Sequence, residues 1–128
     1  MDSPIRLLLV DDEARVRQGL RMCMAGEPDF EVIGEADEGG AAVSLAQDLH
    51  PDVVVLDLRM RGVDGIEAAR QIAVTEPSAR VVILSLQDDS GTRKEAIASG
   101  ASAFVGKQEG IARLFEVIRD VAAAAKAS

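Results

Sequence analysis

Short apolar runs alternate along this chain with stretches whose apolar residues recur every three or four positions. Ile5 to Val10 is the first such run, and its weak alternation predicts a strand buried on both faces. Glu13 to Ala25 follows as a helix, with Val16, Leu20, Cys23 and Met24 on one side and Gly26 and Pro28 as stops. Phe30 to Ala36 predicts a second strand. Ala42, Leu45, Ala46 and Leu49 then give helical spacing up to His50 and Pro51. Val53 to Leu56 is the third and most apolar strand. Ile66, Ala69, Ile72 and Ala73 mark the third helix, ending at Glu76 and Pro77. Val81 to Leu84 predicts a fourth strand. A short fourth helix follows, with Thr92 and Glu95 as its capping box and Gly100 as its close. Ala103 to Val105 is the fifth strand. Ile111, Leu114, Phe115, Ile118, Val121 and Ala122 share a face of the last helix.

Five strand–helix units predict an α/β fold, a parallel sheet wrapped by five helices on both faces. Right-handed crossovers favour the doubly wound, flavodoxin-like strand order 2-1-3-4-5. We expect one domain over residues 1–122. Residues 123–128, rich in alanine and poor in apolar bulk, form a helix end or the start of a linker.

Composition narrows the classes. The 128 residues carry a formal charge of −8, which argues against direct contact with DNA or an anionic membrane. No apolar run is long enough for a membrane span, and Asp11, Asp12, Glu13 and several Arg interrupt any signal-peptide core. Cys23 is the single cysteine, so no internal disulfide forms, and a cytoplasmic setting is expected. We read Cys23 as inert core, Met22, Met24 and Met60 as packing, and His50 as a surface residue at a helix end.

The chemistry lies just past the end of each strand. The first runs into Asp11 and Asp12, the third into Asp57, the fourth into Ser85 and the fifth into Lys107. In a parallel sheet all these ends share one edge, where ligands bind. Carboxylates about 4 Å apart repel by roughly 1 to 4 kcal/mol per pair, so such a cluster calls for a cation. All-oxygen ligands favour Mg²⁺, with Mn²⁺ as the alternative. An Asp beside that metal can attack phosphorus, and Asp57 ends the central strand. As an alternative reading, Asp11 and Asp12 simply cap the first helix. Gly100 to Lys107 is one residue too long for a Walker motif and is followed by Gln108.

Leu8-Leu9-Val10-Asp11-Asp12-Glu13, Val55-Leu56-Asp57-Leu58-Arg59-Met60, Val63-Asp64-Gly65, Val82-Ile83-Leu84-Ser85 and Gly100 to Lys107 together resemble the receiver domains of bacterial two-component response regulators. The Asp-Leu-Arg-Met stretch and the Gln-Asp-Asp after Ser85 resemble the NarL/LuxR-type branch, which carries a C-terminal helix-turn-helix DNA-binding domain. The resemblance implies Asp57 as phosphoacceptor and Asp11, Asp12, Asp57 and the Arg59 carbonyl as metal ligands. It implies catalytic support from Lys107 and Ser85, and Ser85 and Phe104 as switch residues. It implies a sensor histidine kinase as partner. The protein would be no enzyme in the usual sense, but a phosphoacceptor that promotes its own phosphorylation and dephosphorylation. Val117 and Val121 widen the apolar stripe of the last helix, so a phosphorylation-dependent homodimer is expected there or across the first helix.

Three positions depart from the family pattern. Gln108 stands where Pro is frequent, so a trans bond is expected after Lys107. Leu86 follows the switch hydroxyl where a small residue is usual, and its bulk is expected to narrow access to Asp57. Arg61 also replaces a common Pro. Two other classes compete with an active receiver: a pseudo-receiver that only binds proteins, and a phosphatase or phosphotransferase. The latter usually places a second acid close after the nucleophile, where this chain has Leu58 and Arg59.

Overall fold

The computed structural model describes residues 3–59, 64–86 and 89–127. Among them β1 (Ile5–Val10), β2 (Phe30–Ala36), β3 (Val53–Leu56), β4 (Arg80–Ser85) and β5 (Ala103–Gly106) alternate with α1 (Ala14–Ala25), α2 (Gly39–Leu49), α3 (Gly65–Thr75), α4 (Ser90–Ala98) and α5 (Ile111–Ala127). A 3-10 turn, Lys107–Glu109, links β5 to α5. All strand pairs are parallel, in the order β2-β1-β3-β4-β5. This is the flavodoxin-like arrangement that the alternation implied.

Apart from edge strand β2, the strands bury both faces, and the two-residue period of side chains sorts the core into two layers. Leu8, Val10, Val54, Leu56, Val81, Ile83 and Phe104 pack with Ala42, Ala46, Ala68, Ala69, Ile72 and Ala96 of α2, α3 and α4. Leu7, Leu9, Val53, Val55, Val82, Leu84 and Val105 pack with Met24 of α1 and Leu114, Phe115 and Ile118 of α5. Every residue of β3 is buried. Small alanines on one face let three helices lie close; branched residues and two Phe rings, in edge contact at 5.0 Å, fill the other.

The structure corrects several of these expectations. In α1 only Met24 is fully buried; Cys23 and Met22 are exposed, the latter by 68%. The helix leans on edge strand β2, which covers a narrower arc than its apolar residues span. Thr92 and Glu95 form no capping box. Asp89 is the N-cap of α4, and its carboxylate accepts the Thr92 N–H at 2.7 Å. Ile97 is 49% exposed, so Ala96 is the fully buried anchor of that helix. Val117 is core, and Val121 packs against it; neither widens an outer stripe.

The close of α4 is a Schellman end. Gly100, at φ +113°, donates its N–H to Ile97, and Ala101 donates to Ala96. A Cβ at Gly100 would stand 2.7 Å from the Ala73 methyl of α3, so this end of the helix is tightly seated. Met60, Arg61, Gln87 and Asp88 lie outside the described residues.

Candidate functional site

The carboxyl ends of β1, β3, β4 and β5 lie side by side along the sheet edge. Backbone bonds continue past the strand ends: the Asp57 N–H donates to Val10 O at 3.0 Å, joining β3 to β1, and the Asp11 N–H donates to Ala36 O at 3.1 Å, joining β1 to β2. Strand pairing thus sets the residues after Val10 and Leu56 next to one another. Asp11, Asp12 and Asp57 each direct a carboxylate oxygen inward, and these oxygens lie within 4.8 Å of one another. Asp11 and Asp57 are buried; Asp12 is exposed.

Asp11 and Asp12 do not cap α1. Asp11 Oδ1 accepts the Glu13 N–H at 2.9 Å, and the N-cap, Glu13, makes no side-chain cap bond. The Arg17 guanidinium holds the Asp11 carbonyl oxygen while pairing with Glu35 at 3.1 Å. The acidic loop is therefore braced from behind by a basic residue that the helical pattern left on a polar face.

Lys107 reaches into the cluster from the far side. Its Nζ is 3.4 Å from Asp11 Oδ2 and 3.8 Å from Asp57 Oδ2. One ammonium does not offset three carboxylates. Burial, and then the Asp11 charge, push the Asp57 carboxyl up from the usual 3.8 to about 6, against the pull of Lys107 and the Arg59 N–H. That N–H lies 3.3 Å from Asp57 Oδ1. This frustrated charge, with oxygen donors alone, fits a hard divalent cation such as Mg²⁺.

Ser85 ends β4 and is buried. It pairs in register with Gly106, and Phe104 pairs with Ile83, so Ser85 and Phe104 belong to the same face of the sheet. Phe104 is 8% exposed, with the Arg93 guanidinium 4.7 Å from its ring centroid. Leu86, beyond Ser85, is 71% exposed, and its bulk stands in solvent. No cis peptide bond occurs among the described residues, so the bond between Lys107 and Gln108 is trans, as Gln108 led us to expect.

Gly65 completes the site from below. Its N–H donates to Leu58 O at 3.1 Å. A Cβ there would lie 2.5 Å from both Asp57 O and Leu58 Cα. Only a hydrogen side chain lets the start of α3 sit under the Asp57 loop. The Val-Asp-Gly stretch had flagged the position but not this contact. Arg17 carried no sequence signal. Among the described residues no helix is long and apolar enough to cross a membrane.

Comparison with known proteins agrees with this edge. The model of the response regulator receiver domain matches residues 7–119. The chain is 40% identical over 115 residues to the transcriptional regulatory protein LiaR of Bacillus subtilis (strain 168), covering 90% of this chain and 54% of that protein. A two-component response regulator of the LuxR family from Aurantimonas sp. SI85-9A1 superposes with a TM-score of 0.91 at 36% identity, over 95% of this chain and 87% of that one. A DNA-binding response regulator of the LuxR family from Staphylococcus aureus gives 0.86 at 28%, over 92% and 98%. The chain spans about half the length of the curated relatives it matches. On the match over most of its length, and on these relatives, this chain belongs to the response regulator receiver domains.

Proposed function

We propose that Asp57 accepts a phosphoryl group from a phosphohistidine of a sensor histidine kinase. An Asp57 carboxylate oxygen forms the new bond to phosphorus, the phosphorus–nitrogen bond breaks, and the histidine keeps the electron pair. Asp11, Asp12, Asp57 and the Arg59 carbonyl are the residues that would hold Mg²⁺, or Mn²⁺ in its place. Bound there, the cation draws negative charge off the transferring oxygens. Lys107 stabilises those oxygens from the opposite side, and the Ser85 hydroxyl donates to the new phosphoryl group. The domain thus promotes its own phosphorylation and later hydrolysis, as a phosphoacceptor.

One observation carries this reading: three carboxylates from two strand ends crowd within 4.8 Å, with the Lys107 ammonium beside them. Asp57→Asn should abolish labelling by a cognate phosphorylated kinase; persistent labelling of that variant rejects the assignment. Amide shifts near Asp12 and Asp57 on Mg²⁺ titration separate an active receiver from a pseudo-receiver.

The output follows from the added charge, about −1.5 to −2. Ser85 moves toward it, Phe104 fills the vacated space, and α4 shifts. One charge-assisted hydrogen bond contributes about 1.5 to 3 kcal/mol, whereas inverting a 1:99 equilibrium takes about 5.5 kcal/mol. Lys107 and the loops must therefore contribute beside Ser85. We place the protein in the cytoplasm and infer transcriptional output through a helix-turn-helix domain outside these 128 residues. Homodimerisation on phosphorylation is part of the proposal. With Val117 committed to the core, it is assigned to α1, where Met22 and Cys23 are exposed. Sedimentation of phosphorylated and unphosphorylated protein at equal mass would remove that part.

A further inference from the structure

The Glu109 side chain bonds across the turn that carries Lys107. Glu109 Oε2 accepts the Gly106 N–H at 2.6 Å and the Arg93 Nη2 at 3.0 Å. Its other oxygen lies 3.8 Å from Arg113 Nε. The same Arg93 lies over the Phe104 ring and donates to Phe104 O at 3.4 Å. A single carboxylate therefore joins α4, the end of β5 and the first turn of α5. Lys107 sits between the two ends of the Gly106–Glu109 bond, and Gly110 closes the turn with a longer contact, 3.4 Å to Lys107 O.

We propose that Glu109 is the positioning residue for Lys107. No proline ring stiffens the turn after Lys107, where Gln108 stands, and Gly110 brings no side chain. A lysine has four rotatable side-chain bonds, and its aim depends on how firmly its backbone is set. Glu109 fixes that backbone by bonding across it. Arg93 fixes Glu109 in turn, so the reach of Lys107 toward Asp57 depends on where α4 sits. The effect on phosphoryl transfer rests on the reading of Asp57 given above; the effect on Lys107 itself does not.

The amines of this protein allow a direct test. Lys94 and Lys126 are exposed, whereas the Lys107 side chain is 19% exposed and paired. Limiting acetic anhydride, read residue by residue by mass spectrometry, should modify Lys107 several-fold more slowly than those two references. Glu109→Ala should raise Lys107 reactivity several-fold. Glu109→Gln keeps an oxygen for the Gly106 N–H and should restore most of the protection. Arg93→Gln leaves the turn intact but loosens Glu109, and should give an intermediate rate. Equal Lys107 reactivity in all four folded proteins overturns the proposal. Uptake of phosphate from acetyl phosphate should fall in Glu109→Ala, by up to about a hundredfold for a misplacement near 1 Å, with Mg²⁺ affinity unchanged. Unchanged uptake in that variant, with Lys107 loosened, also rejects the positioning role. Where wild type takes up phosphate neither from acetyl phosphate nor from a cognate phosphorylated kinase, the Asp57 reading is rejected, and a loosened Lys107 in Glu109→Ala leaves the role of Glu109 standing.

Discussion

The ammonium of Lys107 lies 3.8 Å from the carboxylate of Asp57 and fails to neutralise it. Burial and Asp11 prevail, and the Asp57 carboxyl stays at about 6. Without metal, the folded protein holds a proton between about pH 4 and pH 6 that the unfolded chain has released. The folded value is the raised one, so stability falls as pH rises through that window. The loss is on the order of 3 kcal/mol. Asp57→Asn should therefore melt at a higher temperature than wild type at pH 7 in EDTA. The two curves should converge below pH 4. Calorimetry across pH checks both.

Magnesium should reverse that loss. Binding to the folded state alone stabilises by about 2.7 kcal/mol at a hundredfold excess over Kd. Asp12 supplies one of the three clustered oxygens and is exposed. Asp12→Asn should lose most of the thermal shift on adding Mg²⁺ while folding normally without it. A full shift in that variant would remove Asp12 from the ligand set.

Two glycines should respond in opposite directions. Gly65→Ala sets a methyl against the backbone of Asp57 and Leu58, and should destabilise by about 1 to 3 kcal/mol. It should also weaken Mg²⁺ binding, because the Asp57 loop must move. Gly19 lies inside α1 with nothing within 4 Å of its would-be Cβ. Gly19→Ala should stabilise by up to about 1 kcal/mol. Urea midpoints of both variants provide the comparison.

Leu86 is exposed, so Leu86→Ala should change stability by less than about 0.5 kcal/mol. If its bulk narrows the approach to Asp57, the variant should take up phosphate from acetyl phosphate several-fold faster. Equal rates would show that small donors reach Asp57 by another path.

The two-layered core was legible because the inner strands of a doubly covered sheet must be apolar on both faces, and each helix must carry a stripe to cover it. The site was legible for a related reason: a charged residue directly after a run such as Val53 to Leu56 has to emerge at the sheet edge. What periodicity could not reveal was how wide an arc each helix buries. Cys23 and Val117 occupy similar apolar stripes, yet α1 leans on an edge strand and α5 lies across the sheet. Nor does periodicity choose between rival caps. Asp89 and Thr92 are both good N-cap residues three positions apart, and the structure makes Thr92 the donor to Asp89. Close approaches such as Gly65 under Asp57 depend on tertiary geometry and leave only a glycine as their trace.

The Schellman close of α4 has a mechanical consequence. With Gly100 close against Ala73 and Ala96 as the sole fully buried residue of the helix, the C-terminal end is a pivot and the Asp89 end the arm, tied to β5 and the turn after it through Arg93. A nine-residue helix is roughly 13 Å long. A swing of about 10° would then carry its tip roughly 2 Å, by the geometry of that length. Small rearrangements beside Ser85 would be magnified at the far end of the arm, where Asp89 rather than Ile97 would sweep the greater distance.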